Sequence, residues 1–454
     1  MAHLFGTDGI RGVANKPPLD PLTVVRIGQH LRQRQRRLGR SQRTLVARDT
    51  RISGPMIEAA LVAGLCSAGG EPLLAGVLPT PAAARLARHR FACDSVVISA
   101  SHNPWHDNGV KLIGSDGYKW SSQEEEEFEA ALFSGDQPVP AEGIGAAESS
   151  VGTPTPVTDA ADWYVDSVLE SLHGRKSLGG LRLAVDCANG AAVPVAPALF
   201  EQAGARVTAL AAAPDGYNIN LNSGALCPKA LQATVVEQGA DAGAAFDGDA
   251  DRLVLVDETG TVLDGDGLLW ILARHLAETG KLRRAVVVGT VMSNFGLERA
   301  LGTLGVQLVR APVGDRYVVE LMRQSGSQLG GEPSGHIVWL DHTTTGDGIL
   351  TALAVLQIAS LRQRRLSELR TGLDLLPQIQ TNVEAKNPRA AVADEHVQRV
   401  TRAAGEALEG KGRVLVRASG TEPVVRILVE GEDVGLLATW AEELAAAVRA
   451  VSAR

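Results

Sequence analysis

Leu45-Val46-Ala47-Arg48-Asp49 decides the fold, because this apolar run reads as a buried strand and its setting returns twice along the chain. A helix near Pro55 to Ser67 follows it, then a small-residue turn at Ala68-Gly69-Gly70 and a second strand. The order comes back at Leu183-Ala184-Val185-Asp186, with a helix near Val195 to Gln202 and a turn at Ala203-Gly204-Ala205. It comes back again at Val286-Val287-Val288, with a helix near Phe295 to Leu304 and a turn at Gly305. Strand, crossover helix and strand in that order indicate parallel βαβ units. The expectation is an α/β protein of three related doubly wound α/β domains. After Leu376-Pro377 the pattern changes to strands near Ile379 to Val383, Gly412 to Arg417 and Val424 to Val429 and a helix from about Gly435 to Val451, a smaller C-terminal α+β domain. The expected domains are residues 1–140, 159–256, 257–372 and 378–454 around a central cleft. Ser134 to Thr158, rich in Pro, Gly, Ala, Ser and Thr, reads as a linker or long surface loop. Ser121 and Ser122 before Glu124 to Glu127 read as a capped helix start.

The chain has 454 residues, more than one hydrophobic core usually serves. Its 44 basic and 52 acidic residues leave a formal charge of -8 with no long Lys/Arg run, so nucleic acid is not expected as a partner. Cys66, Cys93, Cys187 and Cys227 form no CxxC pair, and buried free thiols in a reducing cytoplasm are expected. With neither a secretory leader nor a membrane-spanning run evident, a cytosolic protein off the membrane is expected.

Phe246-Asp247-Gly248-Asp249-Ala250-Asp251-Arg252 sets three carboxylates at alternate positions beside a guanidinium. Such a set offers oxygen ligands to a hard divalent cation; the plain alternative is a solvated acidic turn. An EF-hand loop would use Glu258 as its last ligand, but it needs glycine where Arg252 stands, and Leu253-Val254-Leu255-Val256 reads as a strand. In Val96-Val97-Ile98-Ser99-Ala100-Ser101-His102-Asn103-Pro104 an apolar strand ends in polar groups, and ligands of open α/β sheets bind at such strand ends. An ordinary Ser/Asn turn is the alternative there; a serine hydrolase would want a G-x-S-x-G elbow. Asn108-Gly109-Val110-Lys111 adds a lysine that could face the same crevice. Gly330-Gly331-Glu332-Pro333-Ser334-Gly335-His336 surrounds groups suited to sugar hydroxyls and proton transfer with glycines, or is a plain turn with a structural histidine. Arg417-Ala418-Ser419-Gly420-Thr421-Glu422-Pro423, with Arg426, suits a phosphate.

Together with Phe5-Gly6-Thr7-Asp8-Gly9-Ile10-Arg11-Gly12, these motifs stand in the order found in one family. The chain resembles the α-D-phosphohexomutase superfamily and, within it, the bacterial phosphoglucosamine mutases. Two stretches depart from the family pattern, Pro333 in the sugar loop and Asn222-Ser223-Gly224-Ala225-Leu226 after Asn218-Ile219-Asn220. The resemblance implies that Ser101 is a phosphoserine required for activity, and that one Mg²⁺ is held by its phosphate and by Asp247, Asp249 and Asp251. It implies interconversion of glucosamine 6-phosphate and glucosamine 1-phosphate through a bound 1,6-bisphosphate, feeding UDP-N-acetylglucosamine and cell-wall precursor synthesis. Glu332, Ser334 and Arg252 would hold the sugar, and Arg417, Ser419, Gly420, Thr421 and Arg426 the non-reacting phosphate. Lys111, His336 and Arg11 are then candidates for proton transfer or charge stabilisation. Glucose or mannose phosphates are the alternative substrates, a sugar phosphatase or a non-catalytic sensor the alternative classes, and a monomer or homodimer the expected assembly.

Overall fold

Arg43–Arg48, Gly54–Ser67 and Glu71–Val77 form the first strand–helix–strand unit, and its strands run parallel from Arg43 opposite Glu71 onward. The computed structural model describes residues 4–6, 8–133, 151–419 and 422–452. Arg182–Asp186, Ala196–Gln202 and Arg206–Leu210 repeat the unit, again with parallel strands. The third copy has the elements Val286–Thr290, Phe295–Thr303 and Gln307–Ala311 in that order. Strand interiors such as Leu45, Val46 and Ala47 are wholly buried, the continuous apolar pattern that a strand covered on both faces requires.

The chain divides into two units, one of Met1–Thr290 with Ala311–Arg370 and one of Val291–Arg310 with Thr371–Arg454. In the first unit the parallel strands are only part of each sheet. Asp94–Ile98 runs parallel to Arg43–Arg48 and then hands over to the antiparallel Asp107–Ile113, which pairs with Gly9–Val13. Ala242–Phe246 runs parallel to Arg182–Asp186 and hands over to the antiparallel Leu253–Asp257. Leu329–Gly331 runs parallel to Val286–Thr290 and hands over to the antiparallel Ile337–Trp339. The expected parallel βαβ units are present, and the sheets are mixed because the return after each last parallel strand is too short to hold a crossover helix and comes back antiparallel. The Ser101, Asp247–Arg252 and Glu332–His336 loops occupy this same corner of their three sheets.

Smaller departures have local causes. Part of the expected linker pairs instead, with Thr155–Pro156 adding a parallel edge strand beside Leu73 and Leu74, while residues 134–150 lie outside the described residues. All four cysteines are free, but only Cys93 and Cys187 are buried. Ser121 caps the helix Ser122–Phe133 as expected, exchanging hydrogen bonds with Glu124. Among the described residues no helix is long and apolar enough to cross a membrane.

In the second unit Gln378–Glu384, Val424–Gly431 and Gly412–Ala418 make an antiparallel sheet in that order, backed by the helices Glu395–Ala407 and Val434–Ser452. Val397, Val425, Leu437 and Leu444 fill the space between them. Asn294 caps the helix Phe295–Thr303 and binds both backbone groups of Leu376, and the buried Glu430 carboxylate accepts from the Phe295 N–H.

Candidate active site

Register places the first site residues. Gly109 stands opposite Arg11 and Lys111 opposite Val97, so Arg11, Gly109 and Lys111 share one sheet face, while Ile10 and Val110 point into the core on the other. Ser101 follows the end of Asp94–Ile98, buried and in a left-handed conformation with φ 52°. Its Oγ donates to Asp247 Oδ2 at 2.5 Å and lies 3.3 Å from His102 Nδ1. Burial first, then the positive fields of Arg252 and Arg11, push His102 down to about 4, so its ring is neutral at pH 7.

Asp247, Asp249 and Asp251 are all buried, and a ligand oxygen from each lies within 4.8 Å of the others. Asp249 Oδ2 accepts from Lys111 Nζ at 2.7 Å and from Thr80 Oγ1 at 2.5 Å. Asp249 Oδ1 and Asp251 Oδ1 are buried with no hydrogen-bond partner among the described residues, although buried carboxylate oxygens normally have one. Burial, and next the charges of Asp251 and Asp249, push Asp247 up to about 8. A close group of buried carboxylate oxygens, two of them without hydrogen-bond partners among the described residues, fits a hard divalent cation, and the acidic-turn alternative falls with its burial.

Lys111 is almost fully buried, 2.7 Å from Asp249, 2.8 Å from Asp8 and 3.5 Å from Asp251. Burial works against its charge, but Asp249, Asp8 and Asp251 outweigh it and hold the ammonium well above the ordinary lysine range. Asp8 also binds Arg11 Nη2 and Lys119 Nζ, each at 2.6 Å, and Lys119 makes a close ion pair with Asp315. Burial alone would raise Asp8, but Lys111, Lys119 and Arg11 hold it well below the usual carboxylate range. The chain of alternating charges ends at Asp315, whose Oδ2 lies 3.6 Å from His336 Nε2.

The Gly346 N–H donates to His336 Nε2 at 3.2 Å, which assigns the proton of a neutral ring to Nδ1. A Cβ at Gly346 would fall 2.4 Å from that ring, so glycine is needed for the approach. Glu332 Oε1 accepts from the Gly314 N–H at 3.0 Å, and Ser334 is exposed at the turn. Pro333 offers its carbonyl to the Gly265 N–H at 3.0 Å, and the Gly335 carbonyl accepts from Leu253 at 3.0 Å. An isolated bridge between Arg252 and His336 joins the sugar loop to the aspartate loop.

In the second unit Ser419 N donates to Val424 O, closing the turn between its strands, and Arg426 is paired with Glu422. Gly420 and Thr421 lie outside the described residues. Within the first unit, Ser101, the three aspartates, Lys111, Arg11, Arg252, Glu332 and His336 belong to one connected polar network. Sequence reasoning passed over Asp8, Thr80, Lys119 and Asp315. Asp8 stood inside a quoted motif; the others are single polar residues with no local pattern to mark them.

Comparison with known proteins bears on this arrangement. Family models match the chain in order: phosphoglucomutase/phosphomannomutase alpha/beta/alpha domain I over residues 2–139, domain II over 162–260, domain III over 264–374 and the C-terminal domain over 381–447. A phosphoglucosamine mutase of Alkalilimnicola ehrlichii is 49% identical over 447 residues, covering 98% of this chain and 97% of the relative. One of Moorella thermoacetica is 49% identical over 433 residues, covering 95% and 96%. The crystal structure of a phosphoglucomutase/phosphomannomutase family protein from Burkholderia thailandensis superposes with a TM-score of 0.81 at 26% identity, covering 99% of this chain and 97% of that one. With four domains matched in order and near half identity over almost its full length, the chain belongs to the phosphoglucosamine mutase family.

Proposed function

We propose that the protein is a cytosolic enzyme that interconverts glucosamine 6-phosphate and glucosamine 1-phosphate, with Ser101 as its phosphate carrier. The observation that carries this reading is the 2.5 Å contact between Ser101 Oγ and Asp247, the first of three buried carboxylates. The Oγ–P bond of phosphorylated Ser101 breaks as O1 of glucosamine 6-phosphate bonds to phosphorus and the O1 proton ends on Ser101 Oγ; the bound 1,6-bisphosphate turns around, its 6-phosphate returns to Ser101 by the same exchange, and glucosamine 1-phosphate leaves. Asp247, Asp249 and Asp251, with the serine phosphate, would hold Mg²⁺, which would supply charge neutralisation and alignment for the transferring group.

The chain's own groups do the rest. Lys111, kept cationic by three carboxylates, stabilises negative charge as it moves between sugar oxygen and phosphate. His336 offers its Nδ1 proton to an oxygen of the sugar, while Arg11 ties Asp8 to the Asn103 side chain beside the serine. Glu332 and Ser334 hold ring hydroxyls with Arg252 beside them, and the Arg417–Arg426 turn takes whichever phosphate is not reacting. Thr80 occupies one oxygen of Asp249 and leaves the other for the cation.

Ser101→Ala tests the reading. Peptide mapping of the wild type is expected to find phosphate on Ser101, and the variant is expected to stay folded without mutase turnover. Near-wild-type turnover by the variant rejects Ser101 as carrier. Assays on glucosamine, glucose and mannose 6-phosphates rank the substrates.

A further inference from the structure

Ser101 sits in a backbone conformation that side chains other than glycine avoid, so something outside the residue must hold it there. Two side chains do. Arg51, with no exposed surface, donates from Nη2 to the carbonyls of Ser101 at 2.9 Å and Asn103 at 2.8 Å, and from Nη1 to Asp107 O at 3.0 Å and closely to Pro104 O. Asn220, reaching from the turn that follows the strand Arg206–Leu210, donates from Nδ2 to the same two carbonyls at 2.9 and 3.3 Å. Behind Arg51, Asp49 Oδ2 accepts from Arg51 Nε at 2.9 Å and from Ser99 Oγ at 2.6 Å, and Ser99 Oγ accepts from Ser101 N. The space is shared closely: a Cβ at Gly248 would fall 2.5 Å from Ser101 O and 3.0 Å from Asn220 Nδ2.

We propose that Arg51 and Asn220 form a clamp on the carbonyls of Ser101 and Asn103, as positioning residues that keep the Ser101 side chain aimed at Asp247. Neither donates to the serine Oγ; both act through the backbone. Arg51 anchors the loop to the sheet that carries Ser101. Asn220, whose N–H binds Ala188 O at 2.9 Å, anchors it to the sheet that carries the aspartates. The inference rests on Ser101 as phosphate carrier. Transfer demands alignment of carrier, phosphorus and acceptor, and hydrolysis demands less because water has no fixed pose. In hydrolysis the water oxygen forms the new bond to phosphorus as the Ser101 P–Oγ bond breaks, a water proton ends on Oγ, and inorganic phosphate leaves.

The test compares wild type, Asn220→Ala, Arg51→Lys and the double variant as Mg²⁺-loaded phosphoenzymes. The readouts are kcat, KM for glucosamine 6-phosphate, inorganic phosphate released per turnover, and Tm. Asn220→Ala and Arg51→Lys are each expected to lower kcat about tenfold or more, since misalignment of this kind costs up to about 10²-fold. KM is expected to stay within about twofold and phosphate release per turnover to rise; a fold-supporting role alone would move Tm and not that ratio. The double variant is expected to lose less than the product of the two single losses, because both prongs hold the same carbonyls. Unchanged kcat and phosphate release in folded, phosphorylated Asn220→Ala overturns the clamp alone. A wild type with no transferable phosphate on Ser101 overturns the clamp and the proposed function together.

Discussion

Arg417 and Arg426 stand directly opposite each other on adjacent antiparallel strands. Like charges so placed repel, and burial, with Arg426 next, lowers the Arg417 guanidinium from its ordinary value. Glu422 offsets Arg426, whose Nε is buried without a partner among the described residues. An anion between the two would relieve the pair. Because the bisphosphate would present each of its phosphates in turn, Arg417→Ala is expected to slow phosphoserine consumption by glucosamine 6-phosphate and its formation from the bisphosphate alike. Losing a charge-assisted hydrogen bond costs about 1.5–3 kcal/mol, or roughly ten- to a hundredfold in binding. A defect in one direction only would assign Arg417 to a single binding pose.

Removing divalent cations is expected to stop turnover, and Mg²⁺ to restore it. The cation should also raise Tm, since a ligand at about a hundred times its Kd adds about 2.7 kcal/mol to folding stability. Asp249→Asn is expected to lose most of that Mg²⁺-dependent shift, measured by thermal melts with and without chelator. An undiminished shift would place the ion elsewhere.

Lys111 is the counter-charge to three carboxylates, and Lys111→Met would leave them buried with less compensation. Breaking a buried ion pair from one side costs about 3–5 kcal/mol. Urea unfolding is expected to show a loss of that order, partly recovered by Mg²⁺, together with a fall in kcat. A stable, active variant would remove Lys111 from both roles.

His342 lies against Trp339, and its carbonyl accepts from Arg85 Nη1 at 2.6 Å. Burial, with Arg85 adding, pushes its imidazole down from 6.5 to about 4. Between those values the unfolded chain binds a proton that the folded one does not, so stability falls as pH drops through that window and is fully present above it. His342→Gln is expected to make the decline between pH 7 and pH 4.5 shallower than in the wild type. Equal slopes would mean that His342 titrates normally in the folded protein.

Much of this was legible in the sequence because the signals are local. Arg182–Asp186, Ala196–Gln202 and Val424–Gly431 lie within a few residues of their expected bounds, since strand burial and small-residue turns are written within a dozen positions. Ser101 and the aspartates stood out for the same reason. The rest depends on distant pairings. Lys119 meets Asp315 across 196 positions and Thr80 meets Asp249 across 169, and nothing near either partner announces the other. The antiparallel returns were hidden too, because a buried strand has the same apolar run whichever way its neighbour points.

The three hairpin corners carry one further consequence. Lys111 lies on the return strand after the Ser101 loop, opposite Val97, and its neighbour Val110 faces the core. Deleting a single residue between Ser101 and Asp107 would slip that strand by one position, sending the ammonium into the hydrocarbon interior and Leu112 toward the carboxylates. The parity of that loop's length therefore decides whether the aspartates have a cation beside them.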